Sequence, residues 1–189
     1  MSTVKTTNLQ HPSASDVGIT LGADGSVVLP QGFTGGVGSN VVQTVKTDTF
    51  TSTSATFVGI TGMTATITPT TNTSKILVIV QLSHALGNFA GYGHFKITGG
   101  NTSGYVGSGA ISNRIAAVFG GISSTTQLNL VSEPIVFLDS PATTSATTYT
   151  VECRTSGSGS VHINRSEDDS DASTRTRGAS SITVIEVAV

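Results

Sequence analysis

Charge is scarce in this sequence and concentrated in one place. The 189 residues hold 9 Lys and Arg and 11 Asp and Glu. Seven of these fall in one short segment: Arg165, Glu167, Asp168, Asp169, Asp171, Arg175 and Arg177. Clustered carboxylates are the residue type that holds Ca²⁺, but the order Asn164-Arg-Ser-Glu-Asp-Asp-Ser-Asp171 lacks a calcium loop's glycine and closing glutamate, so no metal is expected. The pattern fits a solvated loop before the last strand, able to hydrogen-bond sugar hydroxyls or pair with charged groups of a partner. Glycosidase chemistry would need two carboxylates at a set separation in a cleft, which spacing in sequence does not supply. The four histidines, His11, His84, His94 and His162, form no H-E-x-x-H or other tight ligand pattern. The Gly35–Gly38 and Gly99–Gly104 runs precede neither a helix start nor a P-loop lysine, and no G-x-S-x-G elbow occurs. No cofactor and no enzymatic activity are expected.

Composition narrows the partners. The net charge is −2 and the pI near 6.0, with no basic stripe, which argues against nucleic acid as a ligand. Cys153 is the single cysteine, so no internal disulfide exists, and its alternating neighbourhood Tyr149–Cys153 makes it a small buried side chain. The start, Met1-Ser-Thr-Val-Lys-Thr-Thr7, has no apolar signal core, and the longest aliphatic run, Ile76–Val80, is too short to span a bilayer. The expectation is a soluble chain made in a cytoplasm, without membrane insertion. On that expectation the N-x-S/T patterns at Asn72, Asn101 and Asn164 are chance.

The elements that must position these residues are strands. Roughly 30% of positions are Ser or Thr, and 22 are Gly, which suits β-structure with many turns. The segment 180–189 is β-branched, lacks a turn signal, and is too apolar for an edge strand left in water, so it is expected in the middle of a sheet. Further strands are expected at 41–47, 55–60, 65–69, 75–83, 93–98, 104–107, 114–119, 127–138, 147–154 and 160–164. The unbroken Ile-Leu-Val-Ile-Val run at 76–80 suits a strand covered on both faces. About ten short strands in about 150 residues imply an all-β fold, a jelly-roll-like β-sandwich over residues 41–189. Residues 1–40 differ. They offer one hairpin, Gly18–Leu21 with Ser26–Leu29 around Asp24-Gly25, and a Gly-rich exit at 32–38, which together read as an extended N-terminal arm with a linker.

Thr7–Ala14, followed by Ile19–Val27, resembles the N-terminal segment of tail-fibre and related virion proteins of phages, especially those of cyanobacteria. Phe137–Pro141, Tyr149–Glu152, Ile163–Arg165 and the closing Ser180–Val187 are similar to the C-terminal head domains of such fibres. The strand count also resembles trimeric jelly rolls of the tumour-necrosis-factor and complement type. The resemblance implies a homotrimeric virion protein, a short tail fibre or knob. It would dock on other virion proteins through an attachment arm containing Asn8, Leu9, Gln10, His11 and Pro12, and meet host surface polysaccharide or protein with its head. A capsid-decorating or head-fibre protein that stabilises the shell is the alternative. Residues 1–40 contain neither heptads nor collagen triplets, so a long shaft is not expected. In such an architecture Ser166–Ala179 lies at the free tip, away from the arm.

Overall fold

A computed structural model describes residues 8–9, 19–21, 27–28, 37–87, 92–102, 112–122, 129–156 and 158–187. Its backbone divides into two compact units, 1–36 and 37–189. In the first, β1 (Asn8–Leu9), β2 (Ile19–Leu21) and β3 (Val27–Val28) form an antiparallel sheet in that order, with Asn8 opposite Thr20 and Thr20 opposite Val28. The expected hairpin is therefore present and gains a third strand. Its Asp24-Gly25 turn, the Gly-rich residues 32–36, and Gln10, His11 and Pro12 lie outside the described residues.

The second unit is a two-sheet antiparallel sandwich, and among the described residues there is no α-helix. One sheet has six strands: β4 (Val37–Lys46), β5 (Phe50–Ser52), β7 (Lys75–Gly87), β10 (Val131–Asp139), β12 (Ser160–Ile163) and β13 (Ser180–Val187). The other has the order β6-β11-β8-β9, with β6 (Val58–Ile67), β8 (Tyr92–Thr98), β9 (Phe119–Ile122) and β11 (Thr147–Ser156). Side chains alternate between faces along each strand. On β13 this gives buried Ile182 and Val184 alternating with half-buried Thr183 and Ile185. As its composition demands, β13 lies between β4 and β7 and pairs with both.

The inner faces meet in one core that includes Phe95, Tyr149, Ile60, Met63, Ile76, Leu82, Ile163 and Ile182, all essentially solvent-free. Full burial of each large apolar side chain contributes on the order of 1.5–3 kcal/mol. Cys153 is in this core, where burial, and secondarily the charge of Glu152, pushes its thiol up to about 12.

Several expected boundaries shift for identifiable reasons. The segments 55–60 and 65–69 are one strand, β6, and Thr61-Gly-Met63 lies inside it. Gly62 has φ +81°, and the pairing with β11 changes register between Thr150 and Glu152, so the apparent break is a bulge. Residues 114–117 are irregular and the strand there begins at Phe119. β5, only three residues long, carries too little pattern to be seen in sequence. The segment 104–107 lies outside the described residues.

Candidate functional site

The charged loop joins β12 to β13 and is held by one residue. Asn164 has no solvent exposure and φ +62°, a left-handed conformation that Asn tolerates better than most side chains. Its side-chain amide donates to the carbonyls of Lys46 at 2.8 Å and Asp48 at 3.0 Å, and its Oδ1 accepts from Ser180 Oγ at 2.7 Å. Its backbone N–H donates to Ser83 O, and its carbonyl accepts from Gly178 N–H at 3.0 Å, so both ends of the loop are fastened together. Beside it the Lys46 ammonium, itself buried, pairs with Asp48 at 2.8 Å, and that hydrogen bond holds the Asp48 carboxyl below its usual range.

Five of the seven charged residues are engaged with one another. Asp169 Oδ2 meets Arg177 at 2.7 Å and Arg165 at 3.2 Å, while Asp168 pairs with Arg175. That hydrogen bond, aided by the backbone and hydroxyl of Ser170, lowers the Asp168 carboxyl to about 2. Arg165 and Arg177 also form an isolated backbone bridge. The loop is thus a preformed, cross-braced surface rather than a set of loose charges. Asp171 belongs to neither ion-pair group.

The loop leans on a polar strip of the sheet. His162 Nδ1 accepts from an Arg165 guanidinium N–H at 2.8 Å and lies 3.1 Å from Thr51 Oγ1, while its Nε2 is 2.8 Å from Ser160 Oγ. Burial, then the Arg165 charge, lowers this imidazole to about 4, against a smaller opposing pull from Asp169. A Ser-His pair invites a nucleophile reading, but the geometry opposes it. With Arg165 donating to Nδ1, the neutral ring carries its proton on Nε2 and donates toward Ser160, so it has no lone pair there to accept the hydroxyl proton. Gly87 opposite completes the strip: a Cβ there would collide with Ser160 Oγ and stand 2.8 Å from His162 Nε2 and 2.9 Å from Glu167 Oε1.

The other histidines stay apart. His84 is in the core, edge-on to Phe95 with ring centroids 4.7 Å apart, and burial lowers its imidazole. His94 belongs to the other sheet, 3.3 Å from Ser156 Oγ, and lines an open groove of about 680 Å³ with Tyr92, Asn113, Arg114 and Phe119. His11 lies outside the described residues. Among the described residues no three His, Cys, Asp or Glu side chains gather as a metal site. No described helix is long and apolar enough to cross a membrane.

Two buried carboxylates escaped the sequence reading. Glu186 Oε1 accepts from the Thr70 backbone N–H at 2.7 Å and from the Thr70 and Ser74 hydroxyls at 2.6 Å each. Burial alone would raise this carboxyl, but those bonds outweigh it and leave it below its ordinary value. Asp139 accepts the Tyr149 hydroxyl at 2.6 Å and the Asn101 backbone N–H at 3.0 Å. The hydroxyl-rich turn 68–74 is the one sequence signal that points to such a partner for Glu186.

The pairings also fix where the loop is. Val187 lies opposite Val37 at one end of β13, and Ser180 lies opposite Lys46 at the other. The start of the sandwich and the charged loop are therefore at opposite ends of the same strand. The class defined so far is an all-β, jelly-roll-like sandwich closed by a central late strand.

Two solved structures are matched in part by this chain. A chain from the structure of infectious bursal disease virus, Gx strain, is 18% identical with a TM-score of 0.35 over 79% of this chain and 37% of its own length. The infectious bursal disease virus VP2 subviral particle is 17% identical with a TM-score of 0.33 over 80% of this chain and 38% of its own. This chain spans little more than a third of either, and at those scores the likeness adds nothing to the strand arrangement described above. No family model matches the sequence, and no curated protein does.

Proposed function

We propose that the chain is a structural virion protein, a short tail fibre or knob that docks through its N-terminal arm and meets the host surface with the sandwich. The support is the two-ended layout of β13, which sets Val37 and the braced charged loop at opposite ends of the second unit. The resemblance of residues 7–14 and 19–27 to fibre attachment segments supports the arm, with Asn8 and Leu9 on β1. In this reading residues 1–40 attach, residues 41–189 form the head, and three copies make one appendage. The loop recognises a polar ligand such as an envelope sugar by a fixed array of donors and acceptors, a geometry that pre-organisation favours.

Deleting residues 1–36 should abolish incorporation into particles and leave a folded head. The pair Asp171→Lys and Arg177→Glu should leave incorporation intact and reduce adsorption to cells at least tenfold. Normal adsorption by that variant removes the host-contact role, and absence of the protein from purified particles removes the virion reading. Electron microscopy that finds the protein on the shell rather than the tail selects the capsid-decorating alternative.

A further inference from the structure

The outer face of the six-stranded sheet carries an apolar surface that the described residues of the second unit do not cover. The register defines it row by row across β4, β13, β7 and β10. The first row is Val41, Ile185, Leu77 and Leu138; the second is Gln43, Thr183, Ile79 and Val136; the third is Val45, Ser181, Gln81 and Pro134. Val136 is 61% exposed, Val45 56%, Val41 54% and Leu138 43%. The run that sequence reading expects to be covered on both faces, 76–80, is covered on one only: Ile76, Val78 and Val80 are solvent-free, while Leu77 and Ile79 are half-exposed on the other side.

We propose that this half-sheet is the surface through which copies of the chain associate with one another. Three observations select a second copy as the occupant. None of the twelve positions in the rows is charged, so like faces can meet without repulsion, and a partner recognised by charge would find nothing to pair with. Four strands at ~4.8 Å, over three rows ~6.8 Å apart, give a surface of about 400 Å² in projection with eight of its twelve positions apolar, within the size of the largest patch on a typical domain. That is about half the ~800 Å² each partner contributes to a standard interface, with Gln43, Gln81 and Ser181 at its border and Thr183 the one polar side chain inside it. Third, Pro134 interrupts the hydrogen-bonding capacity of β10, which among the described residues pairs only with β7. A proline there blocks edge-to-edge growth and leaves the face as the route of assembly. The proposal shares with the proposed function the expectation that copies assemble, but does not need the virion reading.

The test is the mass in solution of the full chain by sedimentation equilibrium, beside two variants. The parent should be an oligomer at 10 µM, and Val136→Glu combined with Val41→Glu should be a monomer with an unchanged far-ultraviolet spectrum. If the double variant misfolds, Val136→Cys replaces it. With Cys153 buried, a thiol at 136 should react with maleimide at least tenfold more slowly in the parent assembly than in the same chain diluted to monomer. A monomeric parent overturns the proposal, as does an oligomer whose face variant keeps its mass or whose thiol reacts equally fast in both states. Loss of the oligomer on deleting residues 1–36, with the face variant still assembled, assigns assembly to the arm and also overturns it. Failure to find the protein on particles would leave this result untouched.

Discussion

One sheet face behaves as two surfaces, and β7 runs through both. Its outward positions read Lys75, Leu77, Ile79, Gln81, Ser83, Ala85 and Gly87, from bulky and apolar to small. Over the small end the chain lays its own charged loop. Ser83 Oγ donates to Ala179 O at 2.9 Å and lies 2.8 Å from Ser132 Oγ, and Ala85 is buried although it points outward. Over the apolar end the described residues of the second unit lay nothing. The same period-two alternation therefore yields a surface finished within the chain and one left exposed. The difference is made by side-chain size and polarity, not by strand geometry.

The largest expected effect is at the hinge of the covered half. Asn164→Ala leaves the Lys46 and Asp48 carbonyls without their donor and Ser180 without its acceptor, and should cost roughly 3 kcal/mol of stability in denaturant unfolding. A loss below ~1 kcal/mol would mean that the loop is not what finishes this end. Acid comes next. The fold favours neutral His162, so its contribution is complete above the ordinary imidazole value of 6.5 and is lost as pH falls toward about 4. Screening by water at this partly covered site limits the loss to roughly 1–2 kcal/mol. Relative to its intrinsic rate at each pH, amide exchange of residues 165–178 should quicken between pH 7 and 5, while the apolar rows stay protected. Asp168, lowered to about 2, keeps its Arg175 pair throughout that window. Equal quickening in both halves would erase the distinction. The smallest effect is Arg177→Ala, whose side chain is 62% exposed: below ~1 kcal/mol by thermal melting.

Much of this was legible in the sequence. The composition of 180–189 requires a central strand, and β13 is one; the 76–80 run is a strand as expected, though fully covered on one face only. Asp24-Gly25 between apolar pairs marks the β2–β3 hairpin. The segment 165–177 stands out as the charged loop. Its internal bracing was not visible, because Arg165 and Arg177 reach one carboxylate only after the loop closes on Asn164. The role of Asn164 depends on carbonyls 118 and 116 residues away and on a left-handed φ, neither of which leaves a local pattern. Glu186 is hidden likewise, since its neighbours Ile185 and Val187 read as ordinary strand and its partners lie 112 to 146 residues earlier.

The place of β13 between β4 and β7 has a consequence for the order of events during synthesis. β4 and β7 emerge early and face each other across an empty lane until residues 180–187 arrive, since Val41 pairs with Ile185 from 144 positions away. Pairings of such span are slow to form and leave bare strand edges in the interval. The same late strand supplies the second column of every apolar row, with Ser181, Thr183 and Ile185. A chain that has not yet inserted it has no continuous face to offer. On the proposed assembly, a subunit becomes competent to join others only once residues 180–187 are in place.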